Sequence, residues 1–260
     1  MNTGIESGST PRDPLRPLRY LWRAPLLIVY VVIGSLLAIF LLPPGHVVDS
    51  IGNRLIRAWQ KLFLRLFGVR VRGVGAPLPN PVMFVSNHGS WMDISVLHTQ
   101  RVAGFVAKAE IARWPLVGWL AARAGTIFHQ RGSTQSMGTV MERMTQRLKA
   151  GLSVAAFPEG GTAPAGTLKV FHARILQAAL DANAPLQPVA LRYLRDGRSW
   201  FGMAFRPGES FVGNLLRLLG ERRIDVEVHF LEPVAPGTEG RRRMADTARA
   251  RIANALGIAA

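Results

Sequence analysis

Seventeen consecutive uncharged residues, Leu26–Leu42 (LLIVYVVIGSLLAIFLL), dominate the hydrophobic pattern of the chain. Pro25 stands before them and Pro43-Pro44 after them, so the run predicts one apolar helix with a sharp stop. A bilayer core takes roughly 17–25 such residues, which puts this helix at the short end of membrane length. A basic stretch precedes it, as in a signal peptide, but the apolar run is long and Pro-Pro-Gly-His follows it, which points to a retained membrane helix. Residues 1–24 are rich in Gly, Ser, Thr, Pro and Arg and are expected to form a flexible basic tail.

The next segment has helical period. Ile51, Leu55, Trp59, Leu62, Phe63 and Leu66 share one face, and Arg54, Arg57, Lys61 and Arg65 recur on the other. That is a basic amphipathic helix suited to a lipid interface, to packing on a domain, or to lying between the two. Cations flank the apolar run on both sides (Arg12, Arg16, Arg19 and Arg23 before it), and the positive-inside rule pulls both flanks to the cytoplasm. A monotopic or re-entrant attachment to the cytoplasmic membrane satisfies this, with the rest of the chain on the cytoplasmic side. Residues 25–72 are therefore expected to be membrane-associated helices, and 73–260 one further domain.

In that domain the period changes. Strand-like runs at Val82–Ser86, Val102–Ala107, Gly125–Phe128, Ser153–Phe157, Gln187–Arg192 and Asp225–Leu231 alternate with helical stretches. The clearest of these carries Met137, Val140, Met141, Met144 and Leu148 on one stripe, stopped by Gly151. Arg241–Leu256 reads as a basic helix or tail. Strands separated by helices predict an α/β domain with a mostly parallel central sheet flanked by helices. Ligands of such sheets bind beyond the carboxyl ends of the strands.

Two motifs occupy such ends: Asn87-His88-Gly89-Ser90-Trp91-Met92-Asp93 after the first run, and Phe157-Pro158-Glu159-Gly160-Gly161 after the fourth. His is the natural general base at neutral pH, and a carboxylate on its second ring nitrogen fixes the tautomer. Five residues apart on a continuous helix, the two side chains diverge by about 140°. They meet only if His88 sits in the strand-to-helix turn and Asp93 on the first helical turn, with Gly89 permitting the turn and Asn87 or Ser90 capping it. Glu159 brings a carboxylate to a strand end, with Gly160 and Gly161 beside it, where backbone N–H groups can face an oxyanion or a phosphate.

Composition narrows the partners. The formal charge of +16 over 260 residues calls for an anionic surface or substrate, and 48% hydrophobic residues favour lipid over nucleic acid. The cations run along a helix whose other face is apolar, and no nucleic-acid motif is present. The absence of cysteine excludes disulfides and thiolate chemistry. No GxSxG, GxxxxGK[ST], GxGxxG or HExxH occurs, which argues against a serine hydrolase, a P-loop, a dinucleotide site and a zinc site.

With these residues in view, Asn87-His88 with Asp93 resembles the HxxxxD motif of the lysophospholipid acyltransferase family, which includes 1-acylglycerol-3-phosphate acyltransferases. Gly125–Gly132 is similar to its second block, whose Arg, here Arg131, helps to bind the acceptor's phosphate. Phe157-Pro158-Glu159-Gly160 resembles the third block, Leu186–Ala190 the Pro-containing fourth, and Lys108-Ala109-Glu110 the Lys-x-Glu between the first two. The resemblance covers roughly residues 80–192, in family order. It implies His88 and Asp93 as catalytic residues, and Lys108, Arg131, Glu159 and Gly160 as substrate-binding ones. It implies no cofactor or metal: the partners are a bilayer, a lysolipid acceptor (lysophosphatidic acid or a lyso-ornithine lipid), and acyl-CoA or acyl-carrier protein as donor. Two departures stand out. Gly161-Thr162 lacks the family's third-block cation, for which Lys169 or Arg174 are candidate substitutes, and His129-Gln130 replaces the usual acidic residue before Arg131. A non-catalytic lipid-binding protein on the same fold is the alternative.

Overall fold

The computed structural model describes residues 13–41, 50–114, 116–130, 132–164, 166–237 and 240–258. Its centre is a sheet whose strands are β1 (Val69–Val74), β2 (Met83–Ser86), β3 (Gly104–Lys108), β4 (Ile127–His129), β5 (Val154–Ala156), β6 (Leu186–Arg195), β7 (Arg198–Ser199) and β8 (Ile224–Phe230). The spatial order is β1-β8-β6-β2-β5-β3-β4, with β7 hairpinned onto β6. Neighbours run parallel except β6 with β8 and β6 with β7. The fold is the mostly parallel α/β sheet that the alternation of periods predicts. Central β2 is buried at all four positions, as expected of a parallel strand covered on both faces. Strand β8, beside the sheet margin, alternates buried and half-buried residues.

Two helical layers cover the sheet. On one face lie α5 (Thr134–Lys149), α6 (Gln177–Asp181) and α8 (Gly240–Leu256), burying Val140, Met144, Leu148 and Ile252. Helix α5 ends just before Gly151, whose φ of +78° gives the expected stop. The basic C-terminal stretch is a helix with its Met244–Ala253 stripe in the core. On the other face α2 (Ser50–Leu66), α3 (Asp93–Gln100) and α7 (Phe211–Leu219) bury Leu64, Met92, Val96 and Leu218. Helix α4 (Val117–Arg123) flanks this layer.

The N-terminal helix α1 spans Arg16–Leu41 and so passes through Pro25 instead of starting there. The flexible tail expected over 1–24 is corrected for residues 16–24, which are helical. Here the cations are fastened to α7: Arg19 Nη1 donates to Gly220 O at 3.0 Å, and Tyr20 Oη to Leu216 O at 2.9 Å. Buried Arg23 donates to Leu219 O and Glu221 O, both at 2.8 Å. Local composition resembles a loose basic tail because these partners lie about 200 residues away. At the other end, Arg123 of α4 donates to Ala38 O at 3.0 Å. The lipid-like face between, including Ile28, Val29, Val32, Leu36 and Phe40, is exposed.

Helices α1 and α2 pack through rings, Tyr30 stacking on Trp59 at 4.3 Å and meeting Phe63 at 5.4 Å. Gly34 makes this approach possible, since a Cβ there would lie 2.8 Å from the Trp59 ring. The expected apolar face of α2 divides in two: Trp59, Phe63 and Leu66 pack inward, whereas Ile51, Leu55 and Leu62 remain exposed beside Arg54, Lys61 and Arg65. Pro43-Pro44 lie outside the described residues. The boundary drawn between residues 72 and 73 falls inside β1, which pairs with β8 from Val69 onward. The Val69-Arg70-Val71-Arg72 alternation is a strand signal overshadowed by the basic helix before it.

Arg23→Ala should leave two carbonyls without their donor, at about 1–3 kcal/mol. A thermal melt should show a midpoint fall of roughly 2–4 °C per kcal/mol for a chain of this size. An unchanged midpoint would mean that α1 is not fastened through this side chain.

Candidate active site

Strand β2 ends at Ser86, and the chain turns through Asn87–Met92 before α3 begins at Asp93. His88 is therefore in the strand-to-helix turn and Asp93 on the first helical turn. His88 Nδ1 lies 2.9 Å from Asp93 Oδ2. The same oxygen accepts the backbone N–H of Gly89 at 2.8 Å and of Ser90 at 2.9 Å. Asp93 is fully buried, and a fourth donor, Tyr193 Oη, satisfies its Oδ1. A carboxylate so surrounded accepts only, so the proton between it and His88 resides on Nδ1 and Nε2 is left free as a base. Burial, then the Asp93 charge, push the Tyr193 phenol well above its ordinary pKa, so it remains a donor at any working pH.

The turn is held from the other sides too. Asn87 grips β6 twice, accepting from Leu191 N at 2.8 Å and donating to Leu191 O at 3.0 Å. It does not cap α3, which has no side-chain cap, and the Ser90 hydroxyl accepts from Met92 N at 3.3 Å within the turn. Phe157 stacks on the His88 ring at 4.1 Å and 14°. Trp91 Nε1 donates to Asn214 on α7 at 2.9 Å.

Glu159 is turned inward, toward the loop that carries His88. It is 3% exposed, with Oε1 accepting His88 N at 2.7 Å and Oε2 accepting Lys169 N at 2.8 Å. Burial raises its pKa, and those two backbone donors oppose the rise. It ties the second motif to the first. Gly160, at φ +69°, makes the turn after it with the exposed His172 ring alongside.

An open cleft lies against His88, walled by Asn87, Leu191, Arg192, Tyr193, Trp200 and Leu256 among others. Of the five nominated residues that the structure describes, His88 alone lines it, with Asp93 directly behind. Lys108 ends β3 at the same carboxyl edge, exposed and away from the cleft. Arg131 lies outside the described residues. Lys169 points its ammonium at Thr162 O, 2.7 Å away, and neither it nor Arg174 lines the cleft. Tyr193 and Arg192 escaped the reading of the sequence: they follow the fourth block on a strand whose pattern announces burial and nothing more.

The model of a family described as Acyltransferase matches residues 69–192, from the first residue of β1 to Arg192. A lyso-ornithine lipid O-acyltransferase of Pseudomonas aeruginosa is 36% identical over 243 residues, covering 92% of this chain and 94% of its own. The chain belongs to this acyltransferase family. Another relative, a 1-acyl-sn-glycerol-3-phosphate acyltransferase of Neisseria gonorrhoeae, is 32% identical over 69% of this chain and 71% of its own. In fold the acyltransferase is similar to the crystal structure of the 1-acyl-sn-glycerophosphate acyltransferase PlsC from Thermotoga maritima. The TM-score is 0.64 at 21% identity, over 93% of this chain and 96% of that one. Family membership makes the chain an enzyme, which sets aside the non-catalytic alternative.

Two measurements on this acyltransferase test the geometry. Tyr193→Phe removes a hydrogen bond to a charged group, worth about 1.5–3 kcal/mol, so kcat should fall roughly 10-fold or more with substrate KM values little changed. Glu159→Gln keeps the shape but cannot accept with both terminal atoms, and should slow turnover by loosening His88. Its melting curves carry a further signature. Because the folded pKa of Glu159 is raised, the native protein binds the extra proton and wild type loses stability as pH rises through the carboxylate range. The melting difference between wild type and Glu159→Gln should therefore move toward the variant with rising pH; a constant difference would contradict the burial of a charge-bearing group.

Proposed function

We propose that the protein is a membrane-associated O-acyltransferase that moves a fatty acyl group from acyl-CoA or acyl-carrier protein to the free hydroxyl of a lysolipid. The observation that carries this is the imidazole held by a saturated, buried carboxylate with its second nitrogen toward a largely apolar cleft. His88 Nε2 takes the acceptor's hydroxyl proton as the oxygen attacks the thioester carbonyl. Asp93 stabilises the imidazolium that results. The tetrahedral oxyanion collapses, expels the thiolate, and the imidazolium returns the proton to sulfur. Backbone N–H groups of His88, Gly89 and Ser90 are already committed to Glu159 and Asp93. The oxyanion must therefore draw on donors other than these three.

Lyso-ornithine lipid is the acceptor favoured by the length and identity of the Pseudomonas aeruginosa relative, with a second so named in Brucella abortus at 32% identity. Lysophosphatidic acid is the other, favoured by the Neisseria gonorrhoeae relative. Attachment from one side of a bilayer is supported by α1, the helix of membrane length: it touches the domain near both of its ends and exposes its apolar face between them. A helix so fastened lies along the domain, and the exposed Ile51, Leu55 and Leu62 of α2 continue the apolar surface beside cations suited to anionic head groups.

Purified protein with acyl-CoA should acylate lyso-ornithine lipid faster than lysophosphatidic acid in a thioester-consumption assay. His88→Ala should lose at least about 10²-fold in rate while remaining folded and vesicle-bound. A folded variant that keeps its rate would remove the general base from the scheme.

A further inference from the structure

Among the described residues that line the cleft, Arg192 is the single lysine or arginine. It sits on β6, which pairs with β2 only as far as Val189 opposite Ser86 and then runs on beyond the end of β2. Its neighbour Leu191 is clamped through both backbone groups by Asn87, which precedes His88. The backbone of this arginine is thereby fixed to the loop that carries the base.

Two other arginines of this region, half-buried Arg195 and buried Arg217, have partners. Arg195 bonds Glu221 at 2.6 Å and lies 3.7 Å over Trp200, and Arg217 bonds Glu209 at 2.7 Å and two carbonyls. The Arg192 side chain has no hydrogen bond or ion pair among the described residues, and its Nε is buried without a partner. Glu227, which faces it across the strands in register, is engaged instead by His229 Nε2 at 3.0 Å. A partly desolvated guanidinium with nothing to donate to is costly, and an oxyanion repays that cost with a planar pair of hydrogen bonds.

We infer that Arg192 is the residue that binds the anionic head group of the acceptor, a carboxylate or a phosphate, and so holds the acceptor's hydroxyl against His88. The inference rests on the lysolipid reading above. The acceptor, not the donor, is the partner that fits, because the walls around Arg192 include Trp200, Phe201, Met203, Leu256 and Ile258, apolar enough for a lipid body. Lys169 and Arg174, the cations that the sequence suggests for this task, stand outside the cleft.

Steady-state kinetics of wild type, Arg192→Lys and Arg192→Gln with acyl-CoA test it, using lyso-ornithine lipid (a carboxylate) and lysophosphatidic acid (a phosphate) as separate acceptors. Arg192→Gln should raise the acceptor KM roughly 10–100-fold, the worth of a charge-assisted bidentate contact, with the donor KM within about twofold of wild type. Arg192→Lys should recover part of the loss. The acceptor arm in which KM rises identifies the oxyanion. An unchanged acceptor KM, or a rise in donor KM instead, overturns the inference while leaving wild-type activity intact. Wild type that acylates neither lysolipid sinks the functional reading itself, and the inference with it.

Discussion

Everything in this site depends on the saturation of one buried carboxylate. Asp93 has no exposure, yet it carries a charge that the interior would otherwise reject, and four donors make that tolerable: the His88 ring, the Gly89 and Ser90 amides, and the Tyr193 hydroxyl. Three of these come from the loop just before it, so the carboxylate winds that loop around itself. The orientation of the imidazole follows from the same interaction. A base on a loop of six residues would ordinarily sample many rotamers; here the charge that tunes it also immobilises it.

Glu159 repeats the device from the other side. A second buried carboxylate takes the His88 amide and, through its other oxygen, the amide of Lys169, so the two motifs are bound to each other through main chain. Phe157 completes the enclosure by covering one face of the ring. The parallel sheet is what brings these pieces together. β2, β5 and β6 are neighbours in space, and their carboxyl ends deliver residues 87–93, 157–159 and 191–193 to one edge. Chain separations of about 70 and 100 residues are thereby reduced to hydrogen-bond distances.

This explains what was legible in the sequence. Fold class follows from alternating periods, and all six strand-like runs correspond to strands. The His88–Asp93 pair was legible because its spacing admits only one local geometry in which the side chains meet. Glu159 was visible as a carboxylate at a strand end, but which way it faces is decided by tertiary packing. Tyr193 and Arg192 carry no local signal, since their importance arises from strand order. Arg19, Tyr20 and Arg23 were misread for a related reason: a helix segment whose partners lie on α7 has the composition of a loose basic end.

The fastening of α1 near both ends carries a mechanical implication. Gripped by α7 at residues 19–23 and by Arg123 at Ala38, the helix cannot tilt without turning the sheet with it. Wherever its greasy face meets lipid, the depth to which it sinks and the height of the reacting nitrogen above the acyl chains become a single coordinate.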